Sequence, residues 1–149
     1  MAPRILYGLC GTRPISEDCY RISGYERYRS GIKKVFNAMT FAEKPVTRYP
    51  KGVKQMFKED IRFHEVSDAI QRYHSGIAHK FYVGIGHYLQ YLESQILITV
   101  LLGLKDLGIH GLPIHDAVII GKAWVDISKE LMEQVFLDMT NVEPWIQKE

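Results

Sequence analysis

Residues 112–120 read Leu112-Pro113-Ile114-His115-Asp116-Ala117-Val118-Ile119-Ile120, and place a histidine and a carboxylate inside an otherwise apolar, β-branched run. That composition favours extended chain over helix. With residues 109–112 ahead of Pro113 and 114–120 behind it, the stretch predicts two short strands or a hairpin carrying His115 and Asp116. A carboxylate in so apolar a setting needs compensation, either from backbone amides at a tight turn or from a bound cation.

The flanks predict helices. Leu89, Leu92, Ile96, Val100 and Leu104 form one stripe over residues 89–107, with Gly108 placed to end it, and this helix is expected to be well buried. After the hairpin, Asp126 or Ser128 is expected to cap a last amphipathic helix carrying Ile127, Leu131, Val135 and Met139. The tail from Asn141 and Pro144 onward is expected to lack order. Residues 89–140 thus read as helix, hairpin, helix.

Towards the amino terminus, residues 4–11 read as a short apolar element ended by glycine, and 12–18 as a loop in which Ser16 or Asp18 is a candidate cap. Over residues 26–42, Ile32, Val35, Phe36 and Met39 recur at three- and four-residue intervals, which predicts an amphipathic helix. Pro45 and Pro50 mark residues 43–52 as a loop. Helical character is expected to resume over 53–63 and again from Ser67 and Asp68, while Gly76, Gly84 and Gly86 argue against one long helix.

A chain of 149 residues with 46% hydrophobic content supports one core, so a single domain, 1–149, of α+β and mostly helical class is expected. Its longest apolar stretch, 96–104, is interrupted by Thr99 and Gly103 and is too short for a bilayer, so no membrane is expected as a partner. The first residues carry no apolar run with a small-residue cleavage site, which makes cytoplasmic location the default expectation. Cys10 and Cys19 match neither a redox pair nor a zinc knuckle and are expected to be reduced thiols. The spacings of His64, His74, His79 and His87 do not repeat on one face, so surface or core roles are expected for them, and packing roles for Trp124 and Trp145.

Charge is uneven. Residues 21–58 hold ten Lys or Arg against Glu26 and Glu43, a net +8; the overall +2 then leaves −6 for the remainder. Interleaved aromatics, including Tyr25, Tyr28, Tyr49 and Phe57, make this a candidate surface for phosphates and stacked bases, with Lys34, Lys44, Arg48, Lys51 and Lys54 as candidate nucleic-acid contacts. A merely solvated basic face is the plain alternative. Arg29 and Lys33, four apart, share one helical face and can reach one polyanion, with Asn37 a further turn along.

The ordered set of residues 4–11 (Arg-Ile-Leu-Tyr-Gly-Leu-Cys-Gly), 29–42 (Arg29 to Ala42) and the His115-Asp116 element resembles the family A type DNA polymerases, to which phage and mitochondrial single-subunit RNA polymerases are related. The resemblance implies a palm-and-fingers fold, with residues 21–60 fingers-like and 89–140 palm-like. It gives Asp116 the role of binding catalytic Mg2+, with His115 as its neighbour in the catalytic element. On the same grounds Arg29, Lys33, Asn37 and Phe41 are expected to face the incoming nucleoside triphosphate, and DNA or RNA is the expected partner, in phage or mobile-element replication.

The sequence departs from that pattern at several positions. Asn37 stands where an aromatic often stacks on the nucleotide, Phe41-Ala42 replaces a common Tyr-Gly, and Ala117 stands where glutamate or serine is frequent. Ala2 occupies the place of a glutamate, and the family's other metal-binding aspartate would fall before Met1, so the chain is expected to be truncated ahead of it. Two-metal phosphoryl transfer holds its ions roughly 3.5–4 Å apart between paired carboxylates. Activity is therefore expected only if an upstream segment or a second chain completes the site. The competing expectations are a non-enzymatic remnant acting as an interaction module, and an unrelated helical DNA-binding protein.

Overall fold

The structure, a computed structural model, describes residues 2–115 and 117–146. The elements in order are α1 (Ala2–Leu9), α2 (Arg29–Phe41), α3 (Phe63–Tyr73), α4 (Gly86–Asp106), β1 (Gly111–Ile114), β2 (Ala117–Ile120) and α5 (Val125–Thr140), with short 3-10 turns between several of them. The class is α+β and predominantly helical, with one antiparallel hairpin. The chain divides into two compact units: Pro14–Tyr88, and Met1–Arg13 with Leu89–Glu149. Residues 21–60, expected to be fingers-like, fall within the first unit, and residues 89–140, expected to be palm-like, within the second.

In the unit Pro14–Tyr88, α2 buries the stripe read from the sequence: Ile32, Val35, Phe36 and Met39 are fully enclosed. Phe36 meets Tyr20, His74 and Phe81 edge-on, with ring centroids 5.7, 5.3 and 5.2 Å away. Gly31 lets Phe57 lie against the helix, since a Cβ there would stand 2.6 Å from that ring. Helix α3 begins at Phe63, four residues before the expected start. Glu65 supplies the signal, its carboxylate accepting the Arg62 N–H at 2.7 Å, while Ser67 is buried inside the helix with its hydroxyl on the His64 carbonyl. Between residues 53 and 62 the expected helix reduces to a 3-10 turn, Lys54–Met56.

In the other unit, α1 packs on α5 through Gly8, whose position beside the Thr140 carbonyl admits no side chain. Helix α4 ends as its sequence indicates: Gly108 takes φ +71°, its N–H bonds the Lys105 carbonyl, and the Ile109 N–H reaches back to Leu104. That is a Schellman termination, with buried Ile109 as its apolar closing residue. The expectation of a well-buried α4 holds for one stripe only. Leu89, Ile96, Val100 and Leu104 are enclosed, whereas Tyr91, Ile98 and Leu102 are about half exposed.

The α5 stripe is kept only in part. Ser128, Val135, Phe136 and Thr140 are buried and Leu131 lies against Gly103, whereas Ile127 and Met139 are exposed. Neither Asp126 nor Ser128 caps this helix; its N-cap is Trp124, without a side-chain bond. Trp124 and Trp145 are 48% and 38% exposed, which corrects their expected role as packing residues. No helix among the described residues is long and apolar enough to cross a membrane.

Candidate functional site

The hairpin pairs Gly111 with Ile120, Leu112 with Ile119, Pro113 with Val118 and Ile114 with Ala117, so two residues connect its strands. Such short connections favour positive φ, and His115 adopts φ +53°. His115 is exposed at this turn. Asp116, the candidate catalytic and metal-binding residue, lies outside the described residues. The strands are not the buried setting that their apolar sequence suggested: Leu112, Ile114 and Ile119 are 67%, 49% and 53% exposed. The start of the ribbon is packed closely, with Gly111 against Leu101 and Leu104 of α4 and Val118 of β2.

Arg29 opens α2 and Lys33 follows one turn later. The Arg29 guanidinium carbon stands 5.8 Å from the centroid of the Tyr20 ring, and the Lys33 ammonium 5.7 Å from the same centroid. Both distances lie within cation–π range, where each contact contributes about 0.5–1 kcal/mol at exposed sites. Arg29 Nε also donates to Asp18 Oδ2 at 2.5 Å. Asp18 is held in turn, because its other oxygen accepts the Tyr20 N–H at 3.0 Å. The loop before α2 thus lays an aromatic ring and a carboxylate against the first turn of the helix.

Of the other candidate residues, Asn37 is half-buried a turn beyond Lys33. Phe41 ends α2 and lies against Gly86, where a Cβ would stand 2.6 Å from its ring, with His87 edge-on at 5.1 Å. The Tyr82 and Gly84 amides bond the Met39 and Ala42 carbonyls and tie the segment before α4 to the end of α2. Lys34, Lys44, Arg48 and Lys51 are exposed.

Lys54 is engaged locally. Its ammonium donates to the carbonyls of Lys58, Glu59 and Ile61 at 3.2, 2.8 and 2.6 Å and stands 5.3 Å from the Tyr49 ring centroid. Beneath it, Tyr49 packs with Phe57 and Phe63, and burial pushes its phenol pKa up to about 12. Tyr28 extends this aromatic group through Phe57, with centroids 5.3 Å apart.

The histidines divide between core and surface. His74 is enclosed between Phe36 and Tyr73, and burial pushes its pKa down to about 4, partly opposed by its bond to the Cys19 backbone. His64, His79 and His87 are exposed. Cys10 is half-buried and Cys19 buried, and neither forms a disulfide among the described residues. No cluster able to hold a metal ion occurs among the described residues. A concavity on the other unit is lined by Glu130, Glu133, Gln134, Leu137, Glu143 and Pro144; its three carboxylates suit a polyphosphate poorly.

Asp18 and Tyr20 are the members of the α2 group that sequence reading did not assign. Asp18 stood out only as a candidate cap, and no local spacing connects it with a partner eleven residues away. No protein-family model, no curated protein and no solved structure matches the chain.

Proposed function

We propose that the chain binds nucleoside triphosphate through Arg29 and Lys33, as the polymerase-like part of a template-directed nucleotidyltransferase. Asp116 takes one Mg2+ ion in this reading. The observation that carries the proposal is the convergence of the Arg29 and Lys33 cations on one Tyr20 ring. Two cations held within reach of one polyanion suit successive phosphoryl groups, and this reading assigns Asn37 and Phe41, further along the same helix, to base and sugar. The exposed Lys34, Lys44, Arg48 and Lys51 suit the backbone of a DNA or RNA partner.

A phosphoryl transfer of this kind relies on positioning and charge stabilisation rather than on covalent chemistry from the protein. Arg29 and Lys33 orient the triphosphate and offset its charge. Bound Mg2+ would polarise a phosphoryl oxygen and offset charge on the leaving group. Since a single aspartate does not hold two ions well, the chain by itself is proposed to bind nucleotide without turning it over.

Titrating a nucleoside triphosphate into the chain, with and without Mg2+, tests the reading. Saturable binding that weakens in Arg29→Ala/Lys33→Ala supports it. Binding indifferent to these changes, or no binding, removes it. One observation favours a second reading, a non-enzymatic interaction module: the apolar face that Leu112, Ile114 and Ile119 leave exposed on the hairpin.

A further inference from the structure

The loop before α2 carries more detail than binding by two cations requires. Asp18 accepts hydrogen bonds on both carboxylate oxygens, from the Tyr20 N–H and from Arg29 Nε. The loop is anchored as well, with the Ser16 hydroxyl on the Asp18 carbonyl and the Tyr73 hydroxyl on Ser16. Tyr20 packs edge-on against buried Phe36 and underlies both cations. The Asp18 side chain is 18% exposed and that of Arg29 42%. Among the described residues Arg29 hydrogen-bonds only through Nε, which leaves the parallel Nη pair of its guanidinium for a ligand.

We propose that Asp18 and Tyr20 are positioning residues that fix Arg29 and Lys33 as a rigid clamp for the polyphosphate tail of a free nucleotide, in preference to the phosphodiester backbone of a polynucleotide. This rests on the reading of Arg29 and Lys33 given above. A guanidinium tied at Nε presents its two Nη groups as a fixed fork, the geometry that suits two oxygens of one phosphoryl group. Lys33 shares the Tyr20 ring and is thereby held for a neighbouring phosphoryl group. A polynucleotide backbone spaces single charges along an extended chain, and its binding follows the count of neutralised phosphates rather than fork geometry.

Charge and orientation predict opposite signs for Asp18→Asn, which makes the variant informative. Removing a carboxylate beside two cations strengthens attraction to any polyanion, whereas losing the Nε tether frees the fork. The experiment measures affinity for a nucleoside triphosphate, inorganic tripolyphosphate and a single-stranded oligonucleotide in wild type, Asp18→Asn, Arg29→Lys, Tyr20→Leu and Arg29→Ala/Lys33→Ala. Thermal melting of each variant checks its fold. The proposal expects Asp18→Asn to weaken both triphosphate ligands by about tenfold while oligonucleotide affinity is unchanged or rises. Arg29→Lys keeps the charge and loses the fork, so it reproduces that split, and it carries the test if Asp18→Asn does not fold. Tyr20→Leu likewise weakens the triphosphates selectively.

If Asp18→Asn or Arg29→Lys leaves triphosphate affinity unchanged or raises it, while Arg29→Ala/Lys33→Ala abolishes binding, the clamp is overturned and the nucleotide site stands. If Arg29→Ala/Lys33→Ala has no effect, or the wild type binds no triphosphate, the nucleotide site and the clamp are both overturned.

Discussion

Gly8 of α1 lies so near Thr140 of α5 that a Cβ on the glycine would stand 2.1 Å from the Thr140 carbonyl oxygen. The obstructing atom is backbone, so a side-chain rotation cannot relieve the overlap. Thr140 is itself fixed, with its hydroxyl donating to the Phe136 carbonyl at 2.7 Å and accepting the Val142 N–H at 3.2 Å. Gly8→Ala is therefore expected to destabilise the fold by about 2 kcal/mol despite the gain in helix propensity, as overpacking against a fixed element does. Urea denaturation checks it; a midpoint at or above that of the wild type contradicts the packing of α1 on α5.

Lys54 provides a contrast with its basic neighbours. Its ammonium bonds three carbonyls of the 58–61 turn, so Lys54→Met is expected to loosen that segment at a cost of about 1 kcal/mol, the discounted value for exposed charged bonds. Hydrogen exchange and limited proteolysis across residues 54–61 read this directly. Unaltered protection there would mean that the three bonds do not hold the turn.

Neutral substitutions at Lys44, Arg48 and Lys51 are expected to leave melting unchanged and to weaken polynucleotide binding. Each residue that contacts a phosphate lowers the slope of log affinity against log salt by about 0.7–0.9 when removed. Oligonucleotide titrations at several salt concentrations measure the slope, and an unchanged slope in all three variants would assign the basic surface to solvent.

His74 sets a pH dependence. Its folded pKa of about 4 lies below its ordinary value, so the unfolded chain binds the proton more readily. Stability is complete above the unfolded pKa near 6.5 and declines as pH falls towards 4, by up to about 3 kcal/mol from this residue. His74→Gln is expected to remove that component, so that the difference from wild type shrinks between pH 7 and pH 4.5. A constant difference across the range would show that His74 titrates normally.

Local pattern made part of this fold readable. The α2 stripe, the Gly108 stop of α4 and the hairpin each rest on a signal contained within a few residues: a helical period, a glycine at positive φ, a β-branched run. The inward side of α5 was readable only in part: Val135 is buried and Leu131 lies against Gly103 as the apolar pattern indicates, but Ser128, Phe136 and Thr140 are buried where Ile127 and Met139 are exposed. The start of α3 at Phe63 was hidden, since Ser67 and Asp68 resemble a cap while the capping carboxylate belongs to Glu65. In the candidate site, the Arg29 and Lys33 spacing was visible as helical geometry. The Asp18 tether and Tyr20 ring were not, because a loop folding back over eleven residues has no period to reveal it.

The most direct measurement of the central claim is a titration of Mg2+ and nucleoside triphosphate followed by nitrogen-15 NMR, reading the Arg29 Nε–H resonance together with the amides of α2. The account predicts saturable shifts concentrated on the Arg29 side chain, Lys33 and the residues through Asn37, with the same half-saturation for each. Shifts that spread evenly over exposed lysines without saturating, or that leave Arg29 and Lys33 unmoved while another region responds, would contradict it.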